Sequence, residues 1–182
     1  MTPRILKLEE KRLIGLNMKM SLIENKTGFL WRQFAPRINK ILNRTSENKI
    51  SMQVYPPMYF KQFHPNKEFE KWATVEVQDF KNIPEGMKSF IIKEGLYAVF
   101  QQKGSSTDNK VFEYIFSEWV PKSMFEIDDR PHFEVLGKNI EIMTSTQKKK
   151  FGFQLLKNKK LLDFSRSFFV AGTGLEPVTF GL

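Results

Sequence analysis

The chain of 182 residues contains no cysteine and only two histidines, His64 and His132. The absence of cysteine excludes disulfides and thiolate metal sites, and it fits a reducing compartment. Two histidines without a third ligand at suitable spacing do not form a metal site, so we expect neither a metal nor a cofactor. No apolar run reaches transmembrane length, and the first residues lack a signal-peptide pattern. The sequence therefore predicts a cytoplasmic protein without a membrane partner.

The formal net charge of +9 raises the question of a nucleic-acid partner, because clustered basic residues bind phosphates. Acidic residues are interspersed with the basic ones through residues 1–138, however, and no helix-turn-helix or zinc-finger pattern is present. We therefore interpret the charge as a mildly basic, solvated surface and expect no direct contact with nucleic acid. The apolar content of 41% over this length predicts one α+β domain.

Hydrophobic periodicity divides the chain into two similar halves, residues 1–80 and 85–138. The paired segments are residues 12–18 and 95–101 for a first strand, 29–34 and 111–116 for a helix, and 50–55 and 131–136 for a second strand. This duplication predicts two β-α-β-β units related by a pseudo-twofold axis. The expected fold is an antiparallel sheet with helices packed on one face and a ligand cleft between the halves.

Residues 119–134 contain the most informative motif of the chain. Its elements are Trp119-x-Pro121-x-Ser123-x-Phe125, an acidic turn at Asp128 and Asp129, and Arg130-Pro131-x-Phe133-Glu134. The motif resembles the GyrI-like domain, also called the AraC-type or BmrR-type effector-binding domain, and a weaker similarity covers about residues 3–138. The resemblance implies a small-molecule-binding domain of transcription regulators, in which a glutamate near Glu134 lies in the pocket and pairs with cationic ligands.

Glu134 is the first candidate for ligand binding. It interrupts an apolar strand, and a buried carboxylate is costly unless a partner neutralises it. Strand alternation places Glu134 on the same face as His132, away from Phe133 and Val135. The structural alternative is an ion pair between Glu134 and Arg130 or a nearby lysine, with no ligand involved.

Aromatic residues are the further candidates, since their faces attract cations and stack on flat ligands. We expect ligand contacts from Trp119, Tyr97, Trp72, Tyr55 and Trp31, and a second polar contact from Gln53. Gln53 corresponds to Glu134 in the repeat. Core packing is the alternative for Trp31 and Trp119, because Phe112, Phe116 and Trp119 follow helical spacing on one face.

These observations predict a stand-alone effector-binding protein that lacks its own DNA-binding domain and takes a cationic or aromatic small molecule. Any regulatory output would then require a regulatory protein as partner. Two alternatives stay open. Glu134 is the catalytic residue if the pocket hydrolyses electrophilic ligands by activating water. The second alternative is a protein-binding module, similar to the relatives that inhibit DNA gyrase.

The resemblance stops at Asn139, where the sequence becomes rich in lysine and then in glycine. One choice of codons for residues 147–155, read in a shifted frame, encodes Glu-Glu-Glu-Ile-Trp-Ile-Pro-Ile, which is similar to residues 68–73. We therefore hypothesise that a base was lost near residues 137–139, in the gene or in its sequencing. On this hypothesis residues 139–182 are a non-native, poorly ordered tail, and the last strand of the domain is lost.

Overall fold

The computed structural model describes residues 2–60, 64–102, 110–137 and 140–148 of the chain. The strands in these ranges are β1 Arg4–Leu8, β2 Lys11–Met20, β3 Arg44–Val54, β4 Phe69–Val77, β5 Lys88–Ile92, β6 Gly95–Gln102, β7 Phe125–Ile127, β8 His132–Leu136 and β9 Ile140–Lys148. Helix α1 spans Thr27–Phe34 and continues as a 3-10 helix over Ala35–Lys40. The second helical segment consists of α2 Lys110–Tyr114, a π-helical turn Ile115–Trp119 and α3 Val120–Lys122.

The strands form one antiparallel sheet in the order β1-β6-β9-β8-β3-β4-β2-β5, with β7 paired to the end of β9. Strands β3 and β8 meet at the centre, where Met52 pairs with Phe133. The outermost strands are exchanged between the halves, because β1 pairs with β6 and β5 pairs with β2. This symmetry confirms the predicted α+β fold of two duplicated units.

Both helical segments pack on the same face of the sheet, which we call the helix face. Apolar residues of α1 lie over β2 and β4 in one cluster, and residues of α2 and the π-helical turn lie over β6 in another. Burial of these apolar surfaces holds the helices in place, since α1 is too short to be stable alone in water. None of the helices among the described residues is long and apolar enough to cross a membrane.

The opposite face of the sheet carries a third apolar cluster, which includes Met52, Trp72, Tyr97 and Phe133. Tyr97 and Phe133 contact each other edge to face, with ring centroids 5.5 Å apart. The two faces follow from strand alternation: Gln53 pairs with Lys71 on the helix face, and Met52 pairs with Trp72 on the other. Strands β3, β4 and β8 are therefore buried on both sides.

Strand β9 extends the sheet past residue 138, where the sequence analysis sets the end of the domain. It pairs with β6 and β8, as β4 pairs with β2 and β3 in the first half. The sheet therefore has a strand at the place where the duplication requires one. Residues 149–182 lie outside the described residues, and the frameshift origin of the tail stays a prediction.

Candidate functional site

Glu134 lies in the centre of the molecule, on the helix face of β8. Its exposed fraction is 8%, and Ser51 of β3 is its partner in the strand pairing. The apolar strand that surrounds it, with Phe133 before and Val135 after, buries the carboxyl group as the sequence predicts. A charge in such a position has lost most of its hydration and depends on the groups beside it.

Lys71 of β4 is buried on the same face, with an exposed fraction of 5%. Gln53 of β3 lies between the two strands. In the amide orientation that satisfies both its ends, its oxygen accepts a hydrogen bond from Lys71 Nζ at 2.6 Å, and its nitrogen donates to the backbone carbonyl of His132 at 3.1 Å. Gln53 therefore ties together the lysine strand and the glutamate strand. We call Lys71, Gln53 and Glu134 the polar triad.

The two charged members of the polar triad influence each other. Burial raises the pKa of the Glu134 carboxyl, while the charge of Lys71 and the adjacent Gln53 amide counteract that rise. Burial likewise lowers the pKa of the Lys71 ammonium group, and the charge of Glu134 opposes that fall. Each residue thus serves as the electrostatic partner that the other requires in a desolvated position.

Aromatic rings crowd the same part of the helix face. Tyr55 contacts the rings of Tyr59, Phe60, Phe69 and His132 at centroid distances of 4.5, 4.8, 5.3 and 5.5 Å. Burial raises the pKa of Tyr55 well above its ordinary value, and the negative charge of Glu134 contributes to this rise. Tyr55 therefore lies within electrostatic reach of the polar triad, as a ring that lines a cation site would.

His132 completes this aromatic group. Its ring stacks on Phe60 at 5.3 Å and on Phe116 at 6.2 Å, and its exposed fraction is 4%. Burial lowers the pKa of His132 to about 4, so the imidazole is neutral at pH 7. Its Nε2 atom is buried and has no hydrogen-bond partner among the residues that the structure describes. An unpaired buried nitrogen is costly in a folded protein, and a ligand that paired with it would remove that cost.

The remaining candidates predicted from the sequence are spread over the molecule. Trp119 stacks on Phe125 and contacts Phe100 edge to face. It also lines an open groove with Tyr114, Glu118, Lys122 and Ser123, and Glu134 is not part of that groove. Trp31, with an exposed fraction of 6%, packs in the core between α1 and the sheet. Trp31 therefore packs in the core, which is the alternative to ligand contact given for it in the sequence analysis.

Trp72 and Tyr97 require a correction, because the structure does not bring them together with Glu134. Both lie in the apolar cluster on the opposite face of the sheet. The reason is the strand register: Trp72 pairs with Met52, one residue away from the Lys71–Gln53 pair, so its side chain leaves the other side. Of the predicted residues, Glu134, Gln53 and Tyr55 are the ones that share one location.

The predicted alternative for Glu134, an ion pair with Arg130, is also wrong. Arg130 binds Asp128 instead, with its Nε 3.1 and 3.0 Å from the two carboxylate oxygens. Its other nitrogens donate to the carbonyls of Leu96 and Glu94 at 2.9 and 3.3 Å. A lysine is the second predicted partner: Lys71 interacts electrostatically with Glu134, although no ion-pair contact joins these two described residues.

Sequence reasoning missed Lys71 and His132 as members of the site. Lys71 interrupts an alternating row of buried residues, Phe69, Ala73, Val75 and Val77, much as Glu134 interrupts its own strand. A lysine within such a row was therefore a readable signal. Strand alternation predicts that His132 lies on the Glu134 face. The stacking of its ring on Phe60 and Phe116 depends on the tertiary fold and has no signal in the sequence.

Comparisons with known proteins identify relatives of this chain. Residues 4–156 match the family described as Cass2, integron-associated effector binding protein. The transcriptional regulator BrlR of Pseudomonas aeruginosa is 30% identical over 118 residues, which cover 64% of this chain and 41% of BrlR. The chain thus spans about two fifths of the length of this regulator.

Two solved structures have the same fold. The integron cassette protein VCH_CASS2 of Vibrio cholerae superposes with a TM-score of 0.59 at 15% identity, covering 80% of this chain and 96% of its own. The structure of SAV2435 bound to tetraphenylphosphonium superposes with a TM-score of 0.64 at 12% identity, covering 81% of this chain and 94% of its own. At these identities the likeness concerns the fold alone.

Proposed function

Because the chain belongs to the Cass2 family of integron-associated effector binding proteins, we propose that it binds a small, charged aromatic effector on the helix face beside Glu134. The observation that carries this proposal is the buried carboxyl of Glu134 beside Lys71, Gln53 and the ring of Tyr55. The family match and the relation to a transcriptional regulator give the class of ligand, an effector. The residues of the site give its chemistry.

Cation binding follows from the electrostatics of this site. A carboxylate in a desolvated position attracts a cationic group more strongly than one in water, because little solvent screens the charge. Each aromatic face contributes a further 0.5 to 2 kcal/mol, roughly, when a cation lies over it. The electrostatic influence of Glu134 on Tyr55 supports such a contact. The tetraphenylphosphonium bound to SAV2435 is an aromatic cation, and this fold relative supports an effector here that has aromatic rings and a positively charged group.

The proposal is tested by a thermal-shift panel of aromatic cations and amphoteric aromatic dyes. Wild-type protein is compared with Glu134→Gln, which retains the side-chain shape but removes the charge. Glu9→Gln is the matched control, since Glu9 is exposed on the surface. We expect ligands that raise the melting temperature of the wild type and of Glu9→Gln but not of Glu134→Gln. Equal stabilisation of all three proteins would disprove a role for Glu134.

Hydrolysis of an electrophilic ligand is a second candidate, and the raised pKa of Glu134 favours it. A carboxyl whose pKa lies above its usual range is a better general base for water near neutral pH. The test is turnover of an activated aromatic ester by wild type and Glu134→Gln. Activity that depends on Glu134 would assign this function, whereas activity that survives the substitution would eliminate it.

A further inference from the structure

The polar triad already contains one cation for its one anion. Lys71 and Glu134 are buried to 5% and 8% exposure on the same face, and Gln53 connects their strands. The pair carries no net charge whether the proton lies on Lys71 or on Glu134. A ligand with a single positive charge would therefore leave one excess positive charge in a region that water does not reach well.

The charged and titratable groups described around the triad do not offset that excess, since Asp128, whose charge reaches His132, is paired with Arg130. From β8 the facing titratable residue is His132, which is neutral at pH 7 because burial lowers its pKa to about 4. From β3 and the turn after it come Tyr55 and its ring neighbour Tyr59, whose phenols are neutral at pH 7, and burial raises the pKa of each still further. Strand β2 places the uncharged Met18 opposite Lys71.

We propose that the effector site is bipolar: it binds an amphoteric aromatic molecule whose cationic group lies at Glu134 and whose anionic group lies at Lys71. This inference rests on the proposed function and specifies its ligand class. Such a ligand leaves the net charge of the site at zero, so both buried charges gain a partner. Lys71 is then the residue that sets specificity, because it disfavours ligands with a positive charge alone.

The dimensions of the sheet agree with this assignment. Lys71 and Glu134 are on strands separated by β3, and their partners on β3, Gln53 and Ser51, are two residues apart. Two inter-strand spacings and this offset place their backbones about 12 Å apart. Both side chains extend toward Gln53 from opposite sides, which shortens the separation of their charges. A fused-ring molecule that bridges the two charged groups would replace the Gln53 amide at Lys71 Nζ and place its rings against Tyr55 and its neighbours.

The test uses two dyes that differ by one methyl group. Rhodamine 110 carries a carboxylate and is zwitterionic at pH 7.5, whereas rhodamine 123 is its methyl ester and carries only a positive charge. Affinities are measured by fluorescence polarisation. We expect the wild type to bind rhodamine 110 at least tenfold more tightly than rhodamine 123. Equal binding, or tighter binding of the ester, would overturn the bipolar site without any variant.

Variants then assign the preference to Lys71. Lys71→Met keeps the length of the side chain and is expected to reduce the preference to less than threefold, with a gain in affinity for the ester. Lys71→Gln, which keeps a polar end, is expected to do the same. Lys88→Met is the matched control, because Lys88 is an exposed strand lysine, and it should retain the wild-type preference. An unchanged preference in both Lys71 variants would contradict the inference.

Glu134→Gln separates this inference from the proposed function. If Glu134→Gln weakens both dyes while Lys71→Met leaves their ratio unchanged, the effector site stands and its bipolar character is wrong. If neither wild type nor Lys71→Met binds either dye, the proposed site fails and the inference fails with it. Near-ultraviolet circular dichroism of each variant confirms that the comparison is made between folded proteins.

Discussion

Lys71 and Glu134 are buried on the same face of the sheet, with Gln53 of the intervening strand between them. Each lies in an otherwise apolar strand, and each shifts the pKa of the other toward its charged form. Lys71 and Glu134 thus form a buried pair of electrostatically coupled charges. Its energetics can be measured separately from any ligand, through the stability of the protein.

The first prediction concerns the coupling between these two residues. Lys71→Met and Glu134→Gln each leave the other polar group buried without its partner, which costs about 3–5 kcal/mol for a fully buried charge pair. The double variant leaves no uncompensated charge, so its loss should be smaller than the sum of the two single losses. We expect a coupling free energy above about 1 kcal/mol from urea unfolding at pH 7.

The pair Lys11 and Glu76 provides the comparison. Their charged atoms are 2.9 Å apart, but their side chains are 24% and 26% exposed, so water screens the contact. A double-mutant cycle on Lys11→Met and Glu76→Gln should give about 1 kcal/mol or less. Coupling at residues 71 and 134 that does not exceed this value would mean that the buried pair is not an electrostatic unit.

Because burial lowers the pKa of His132, the free energy of unfolding is expected to depend on pH. Its folded pKa of about 4 lies below the unfolded value of 6.5, so in this window the unfolded chain binds more protons. The free energy of unfolding should therefore fall as the pH decreases from 6.5 to 4, by up to about 3 kcal/mol from this residue. In His132→Phe that contribution should vanish. Urea unfolding of both proteins at several pH values measures the difference.

The other histidine serves as the control for this experiment. His64 is exposed on the surface, and His64→Phe should keep the acid-dependent loss of the wild type. If His132→Phe instead showed the same fall in stability between pH 6.5 and 4 as the wild type, burial of the His132 ring would not be its cause.

Substitution of Gly15 by a residue with a Cβ atom is expected to cause a severe packing defect. A Cβ atom at this position would overlap the backbone carbonyl oxygen of Ala73 on the paired strand and would lie 2.8 Å from Thr74 Cα. Because backbone atoms cannot give way, Gly15→Ala should destabilise the protein by about 3 kcal/mol or prevent folding. Gly28→Ala, in helix α1, should be neutral or stabilising by up to about 1 kcal/mol. Thermal unfolding of the two variants distinguishes these outcomes, and similar midpoints would contradict the close strand contact.

The contacts of Arg130 predict that the motif before Glu134 stabilises the fold. Its guanidinium lies 4.8 Å from the centroid of the Tyr97 ring and hydrogen-bonds the carbonyl of Leu96, besides its ion pair with Asp128. Lysine cannot reproduce these simultaneous contacts, so Arg130→Lys should lower the free energy of unfolding by about 1–3 kcal/mol. Arg12→Lys, at an exposed site, should change it by less than about 0.5 kcal/mol. Ligand affinity unchanged in Arg130→Lys would agree with a role in stability alone.

The duplication made much of the fold predictable. Strand and helix periods repeat in the two halves, and the structure pairs the halves at Met52 and Phe133 as the repeat requires. The exchange of β1 and β5 between the halves was not predictable, because strand pairing over such separations depends on the whole sheet rather than on local periods.

The site was only partly predictable for a related reason. Strand alternation indicates that Trp72 and Lys71 lie on opposite faces of the sheet. It does not indicate which of the two faces the helices cover. Glu134 was found because an acid in an apolar strand is conspicuous. Lysine is so common on surfaces that Lys71 was overlooked, although its strand is equally apolar.

The measurement that tests the central claim most directly is the dissociation constant of the tightest-binding dye for wild type and Glu134→Gln, under conditions in which both proteins are folded. We predict that the substitution weakens binding at least tenfold, or by about 1.4 kcal/mol, because the buried charge is lost. The control Glu9→Gln should bind as the wild type does. A dissociation constant for Glu134→Gln within twofold of the wild-type value would contradict the account.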